Sequence, residues 1–432
     1  MRRASVVASA TVWRGDQRVG TLTRTQDGGA FEYDAAFLAE PRPAWDRGIG
    51  YRLPFSERRF ETRGTNLHPF FAGLLPEGVR LRALERRVKT SPDDLLSLLV
   101  AAGADCVGDV SATLHPTPSE GDAPGFRSPT VDPSRLGEVR FAELLRQSLA
   151  GDRGHEPTLP GVQDKISAGV ISLPLRSGRS KLGDFILKLN PDNAPRLVEN
   201  EHFFLRMAAA AGLESARAEL VHDRDGAAGL LVHRFDRVIE GRVRRKVHQE
   251  DACQFLDRYP ADKYALAATD IARGVAELAS APVAELAKLL QLFAFSYLIA
   301  NGDLHAKNVS LRTCDRIVAL TPAYDVLSTL PYGDRRMALK LDGRDDNLTR
   351  SSFVAFGERF GVRTRSTELM LDELCDVAPE WIARLDEIGL SAKKTADLAR
   401  VMEKRRGDLA AGPSRRPAPA RARQARGRNR QR

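Results

Sequence analysis

Apolar residues recur at strand spacing through much of the first half of this chain and at helix spacing through most of the second, and that segregation most restricts its fold. From Ser9 to Leu22 they flank Arg14-Gly15-Asp16-Gln17, a turn-forming cluster that predicts a hairpin. Lys165 to Leu173 and Asp184 to Leu189 read as strands, and Leu220–Asp225 pairs with Ala228–Phe235 around Asp225-Gly226. Helical spacing marks Leu67–Val88, Pro92–Ala102 (with Ser91 as its cap) and Leu197–Ala211, closed by Gly212. It then dominates: Tyr264–Ala279, Pro282–Ile299, Ser366–Val377, Pro379–Ile388 and Ala392–Leu409. Separate runs of strands and helices indicate an α+β chain with two lobes and a cleft between them.

The chain is long enough for two or three cores, and composition helps to divide it. Pro116, Pro118, Pro124, Pro129 and Pro133 mark a linker, placed at 114–136, between a small mixed domain (1–113) and a larger one (137–410). Residues 411–432 form an Arg-rich tail of Pro, Ala, Arg, Gln and Gly that cannot bury a core and is expected to be disordered. Eight arginines in that tail account for most of the formal charge of +9, leaving +1 for residues 1–411, so the folded body is nearly neutral. Cys106, Cys253, Cys314 and Cys375 show no metal or disulfide spacing, which fits a cytoplasmic protein. No run approaches the eighteen apolar residues of a spanning helix, so no membrane association is expected, and Ala4–Ala10 reads as the approach to a first strand rather than a signal.

The stretch Leu298–Val309 carries the chemistry. Asp303 and Asn308, four residues apart after a long apolar helix, have the spacing of a loop presenting a base and a metal ligand together. Gly302 assists the turn, and Asp325, seventeen residues further on, is placed for a second metal-binding carboxylate. Isolated Asp and Asn in loops often only cap turns. Here the apolar strand upstream contains Lys188, an ammonium that is costly there without a partner or ligand, although an edge-strand lysine facing water has the same local pattern. Lys188 is a candidate for nucleotide phosphates, with Glu201 on the next helix as its orienting carboxylate. Thr158 to Lys165 could fold over phosphates with Gly161, Val162, Gln163, Asp164 and Lys165, though it matches neither a Walker loop nor G-x-G-x-x-G.

The segments Pro160–Lys165, Phe185–Leu189, Val198–Glu201, Leu231–Arg237, His248–Gln254, Asn301–Asn308, Leu320–Val326 and Leu339–Gly343, in that order, resemble the HipA family of bacterial toxin–antitoxin serine/threonine kinases. Val12-Trp13, Val19-Gly20, Leu53-Pro54, Phe71 with Leu74-Leu75-Pro76, and Gly103-Ala104-Asp105 with Gly108 are similar to that family's N-terminal domain. The resemblance spans about residues 9–410. It implies a two-lobed protein kinase-like fold with a small mixed α/β N-terminal domain, use of ATP and Mg²⁺, a helix-turn-helix antitoxin of the HipB kind as partner, DNA contact through that antitoxin, and a protein substrate it does not name.

By the same resemblance Asp303 is the catalytic base, Asn308 and Asp325 are Mg²⁺ ligands, and Lys188 and His305 meet the nucleotide. His233 and Phe235 lie in the segment whose backbone meets adenine, with His where the family's reference member has Glu. Gln249, Glu250 and Asp251 support the site, and Thr158 stands where a phosphate-loop serine is autophosphorylated. A small-molecule phosphotransferase and an antitoxin-bound co-repressor with secondary catalysis remain open alternatives. Because the tail has no apolar residue larger than Pro, deleting residues 413–432 is expected to leave the melting temperature unchanged and to remove only salt-sensitive binding to nucleic acid. A clear fall in melting temperature on truncation would show that the tail packs.

Overall fold

The computed structural model describes residues 6–43, 45–64, 67–103, 106–114, 129–150, 171–177, 184–240 and 243–410. The expected hairpin is β1 (Ser9–Arg14) and β2 (Gln17–Arg24), with Gly15 taking the left-handed turn position at φ 57°. The chain continues through β3 (Gly28–Tyr33), α1 (Ala35–Ala39), β4 (Gly48–Gly50), β5 (Leu53–Pro54), β6 (Arg59–Arg63), α2 (Pro69–Gly73), α3 (Gly78–Val88), α4 (Leu95–Ala102) and β7 (Val110–Thr113). Five of these strands form an antiparallel sheet ordered β6-β3-β2-β1-β7. Its buried face, with Val12, Val19, Leu22, Phe31 and Tyr33, meets Phe70 and Phe71 of α2 and Leu96 and Leu99 of α4.

A second sheet, ordered β11-β12-β10-β9-β8, builds the small lobe from β8 (Thr130–Val131), β9 (Ile171–Ser177), β10 (Asp184–Leu189), β11 (Ala218–His222) and β12 (Ala228–His233). Alternation sets its two faces. Phe185, Leu187, Leu173 and Leu175 pack on Phe141 and Leu144 of α5 (Phe141–Ala150). Leu230 and Val232 face the core that includes Phe203, Phe204 and Met207 of α6 (Leu197–Ala210). Beyond a hairpin of β13 (Arg237–Glu240) and β14 (Val243–Lys246), β15 (His248–Asp251) leads through α7 (Ala252–Phe255) into the large lobe. That lobe holds α8 (Ala268–Leu278), α9 (Pro282–Leu298), β16 (Ser310–Cys314), β17 (Ile317–Leu320), α10 (Arg350–Arg359), α11 (Thr364–Ile382) and α12 (Ala392–Ala410). β15, β16 and β17 pair in that order beneath the loop that joins α9 to β16.

Several local expectations change. The expected helix Leu67–Val88 is two helices, because Leu74-Leu75-Pro76 breaks it and α3 restarts after Glu77. The cap of α4 is Asp94, which accepts from Ser97 N at 3.2 Å and ion-pairs with Arg24, rather than Ser91. Part of the Pro-rich segment is structured: Thr130-Val131 runs parallel to β9 and Pro133–Glu138 forms a 3₁₀ turn. Pro379 does not open a new helix but lies inside α11, where burial of Ala378 and Trp381 outweighs the lost backbone hydrogen bond.

The N-terminal domain is tied to the lobes by polar contacts at their junction. Arg234 and Arg237 converge on buried Asp236 at 2.8 and 2.7 Å, and Asp236 also accepts from Gly108 N at 3.1 Å. Gly108 has φ 80°, and a Cβ there would lie 3.1 Å from the Gln249 carbonyl oxygen, so both conformation and space favour glycine. Burial raises the Asp236 pKa, but the two guanidiniums outweigh it and hold the carboxyl at about 2. Asp236→Ala leaves two buried cations without their shared anion and is expected to cost about 3–5 kcal/mol in urea unfolding. In the wild type the share of stability from this depressed pKa is present above the unfolded value, 3.8, and is lost as the pH falls toward 2. An Asp236→Ala protein with the wild-type acid-denaturation profile and urea midpoint would contradict this assignment.

Candidate active site

Three elements far apart in sequence meet at Lys188. Central strand β10 directs its side chain to the sheet face shared with Ser172 and Leu230, its cross-strand neighbours. There its ammonium contacts Glu201 of α6 at 2.6 Å and also pairs with Asp325. Lys188 is 7% exposed and Glu201 3%. Burial opposes the ammonium, but the two carboxylates outweigh it and the pKa of Lys188 rises. Burial likewise pushes Glu201 upward, against the pull of Lys188. Neighbours of Glu201 on α6 fix the register: Glu199 accepts from Asn190 at 2.9 Å, and Asn200 exchanges two 2.9 Å hydrogen bonds with the backbone of Ser328. Asp325 is in the left-handed region, φ 54°.

The opposing wall is the loop after α9. Its turn is fixed by Gly302 N donating to Thr329 Oγ1 at 2.7 Å and by Asp303 N donating to Asn301 Oδ1 at 2.9 Å. A Cβ on Gly302 would lie 2.6 Å from the Arg336 carbonyl oxygen. Asn308 Nδ2 donates to the Asp303 carbonyl at 2.9 Å, which leaves its Oδ1 available to a ligand. The Tyr264 hydroxyl donates to Asp303 Oδ1 at 2.7 Å. His305 is 3% exposed with no hydrogen-bond partner on either ring nitrogen, and its pKa is lowered to about 4, first by burial and then by Lys263. A neutral, buried imidazole with both nitrogens unmatched calls for a ligand. A cavity of about 220 Å³ borders His305, Lys307, Asn308, Tyr324, Asp325 and Ser172. Oxygen donors from Asn308 and Asp325 beside a cation and an unmatched histidine fit a nucleotide with a hard divalent ion.

The structure thus brings Lys188, Glu201 and Asp325 into contact, and Asp303, His305 and Asn308 into one loop. Phe235 lies at the cleft, its ring 5.7 Å from that of Tyr324. The His233 ring turns to the opposite sheet face, 4.6 Å from Phe185, and the His233 backbone N–H donates to Arg217 O at 2.9 Å. Thr158, Gly161, Val162, Gln163, Asp164 and Lys165 lie outside the described residues. Sequence reading missed Tyr264, taken only as the first residue of a helix that begins at Ala268. It also missed Lys307, which pairs with Asp251 at 2.8 Å and with Glu77 at 3.3 Å. Glu250 accepts from Tyr51 N at 2.7 Å, while Asp251 caps α7 and pairs with Lys307.

Removing the Lys188 cation tests the triad. Lys188→Met leaves Glu201 buried beside Asp325, an arrangement that favours its protonated form, so stability falls as the pH rises above the ordinary glutamate range. The variant is expected to lose about 3 kcal/mol relative to wild type at pH 8 and less at pH 5 in paired urea titrations. A deficit independent of pH would remove Glu201 from the triad.

Comparison with known proteins agrees with this fold. The HipA N-terminal domain family matches residues 10–113, and the HipA-like C-terminal domain family matches residues 158–382. "Putative kinase Y4mE" of Sinorhizobium fredii is 31% identical over 398 residues, 87% of this chain and 91% of that protein. "Serine/threonine-protein kinase toxin HipA" of Shewanella oneidensis is 27% identical over 351 residues, 73% of this chain and 76% of that protein. A solved Shewanella oneidensis structure of HipA with HipB and operator DNA superimposes with a TM-score of 0.68 at 19% identity, covering 93% of this chain and 97% of that one. The expected α+β, kinase-like architecture is therefore the observed one. Two matching domains and a relative above 30% identity along most of both chains lead to one conclusion: this chain belongs to the HipA family and is a homologue of its kinases.

Proposed function

We propose that this protein transfers the γ-phosphoryl group of Mg-ATP to a serine or threonine hydroxyl of another protein, as the toxin of a toxin–antitoxin pair. The observation that supports this most is the pairing of buried Lys188 with buried Glu201 and with Asp325, which borders one cavity together with His305 and Asn308 of the loop that carries Asp303. ATP would supply the phosphoryl group and Mg²⁺ would neutralise its oxygens, with Asn308 and Asp325 holding the ion, Lys188 meeting the phosphates and His305 meeting the nucleotide. Asp303 takes the proton of the attacking hydroxyl, and the Tyr264 hydrogen bond fixes which way its carboxylate points. With Asp325 holding the metal, Glu201 would keep Lys188 charged and in place. Thr158 belongs to the same proposal as an acceptor in the chain itself, on the strength of sequence resemblance alone.

For partners, the Shewanella oneidensis relative was solved with HipB and operator DNA. A helix-turn-helix antitoxin, with DNA reached through it, is the corresponding proposal here, in the cytoplasm. No described helix is long and apolar enough to cross a membrane.

Asp303→Asn is expected to lower phosphoryl transfer by about 10²–10⁴-fold while calorimetric ATP affinity stays near wild type, because the base is lost and the phosphate contacts remain. Asp325→Asn is expected to weaken Mg²⁺-dependent ATP binding instead. Labelled Mg-ATP, with protein and small-molecule acceptors in parallel, distinguishes the kinase from a small-molecule phosphotransferase. Unchanged turnover in Asp303→Asn would refute its role, and operator retention by that same variant isolates any co-repressor activity.

A further inference from the structure

The catalytic loop is gripped from outside the kinase lobes. Glu77, at the N-cap of α3 in the N-terminal domain, makes no cap hydrogen bond with its side chain. Its carboxylate instead reaches Lys263 Nζ at 2.6 Å and Lys307 Nζ at 3.3 Å. Each of those lysines is attached to the site in its own way. Lys307 lies between His305 and Asn308, is held on its other side by Asp251 at 2.8 Å, and also donates to Gly73 O of the N-terminal domain at 3.4 Å. Lys263 accepts from Ala306 N through its carbonyl at 3.1 Å, and its neighbour Tyr264 donates to Asp303. One carboxylate therefore joins the segment that orients the base to the loop that carries it. Burial opposes ionisation of Glu77, but Lys307 and Lys263 outweigh it and hold its pKa at about 2.

We propose that Glu77 is a positioning residue of the phosphotransfer site, through which the N-terminal domain sets the orientation of Asp303. Glu77 borders the same cavity as His305, Asn308 and Asp325, but its ion pairs go to Lys263 and Lys307 and not to Lys188 or Asp325. Its loss should therefore act chiefly through the Lys263–Tyr264 segment on Asp303, the acceptor side of the reaction, and less on nucleotide binding. Displacement of the N-terminal domain by a partner would act on catalysis by the same route.

The consequence for rate rests on the kinase reading, whereas the consequence for loop order does not, and the test has an arm for each. Full-length wild type, Glu77→Gln, Glu77→Asp and Lys263→Met are compared by hydrogen exchange across residues 259–266 and 301–309 and by steady-state transfer from Mg-ATP. Glu77→Gln is expected to raise exchange in both segments and to lower kcat about tenfold, in line with the sensitivity of catalysis to small misplacements, while KM for ATP changes by less than about twofold. Glu77→Asp should recover most of the loss, and Lys263→Met combined with Glu77→Gln should add less than the two effects together. Exchange unchanged in both segments overturns the proposal. So does a rise spread over the whole chain with a lower melting temperature, or a loss expressed in KM for ATP. If the wild type transfers phosphate to nothing, the kinase reading fails, and exchange alone decides whether Glu77 orders the loop.

Discussion

The ammonium of Lys188, buried between two carboxylates, is the interaction on which the rest of this architecture depends. A single buried cation is costly, and it becomes tolerable only where geometry supplies good anionic partners. That requirement fixes three positions at once: β10 must be central in its sheet, α6 must pack across that sheet with Glu201 turned inward, and the segment after β17 must return to the same point. Asn200, which pins α6 to Ser328 by paired hydrogen bonds, sits directly beside Glu201 in sequence. The register that satisfies the charge is the register that closes the cleft.

Around this centre the polar contacts extend outward to the N-terminal domain. His248 lies between Asp109 and Glu250 at 3.0 and 2.9 Å, and despite burial its partners raise its pKa to about 9. Glu250 in turn receives Tyr51 N, and the Tyr51 hydroxyl is 2.9 Å from Thr313 Oγ1. Gln254 Nε2 donates to the carbonyl of Phe70 at 2.8 Å. These are directional bonds between groups largely withdrawn from water. They specify one orientation of the domains more sharply than an apolar seam of the same extent would.

What was legible in the sequence was what local pattern controls. Apolar Phe185 to Leu189 interrupted by Lys188 announced both a strand and a charge in need of partners, and Asp303 with Asn308 announced a loop by spacing alone. The Asp184–Leu189 strand and the β1–β2 hairpin lie where alternation and turn residues put them. The less legible parts were decided by distant neighbours. Glu77 follows an ordinary helix-breaking proline, and its lysines lie 186 and 230 residues further along the chain, so no local pattern points to them. Pro379 reads as a breaker because propensity is local, whereas the burial of Trp381 against Phe203, rings 5.1 Å apart, is tertiary. Strand β15, His-Gln-Glu-Asp, is wholly polar yet buried, because His248 and Glu250 meet Asp109 and Tyr51 at the domain junction.

The left-handed backbone at Asp325 has a consequence of another kind. Among residues with a Cβ, Asp and Asn enter that region at least cost, and Gly enters it freely. The position is therefore filtered twice, by chemistry for a carboxylate and by conformation for a short polar side chain or none. Glu would keep the charge, yet it meets the backbone penalty and displaces the carboxylate by a methylene. Asn or Gly would keep the backbone and discard the charge. Under the proposed metal-holding role, descendants of this chain thus have a short route to a well-folded protein that has lost the carboxylate at position 325, and no comparably easy route to a different acid there.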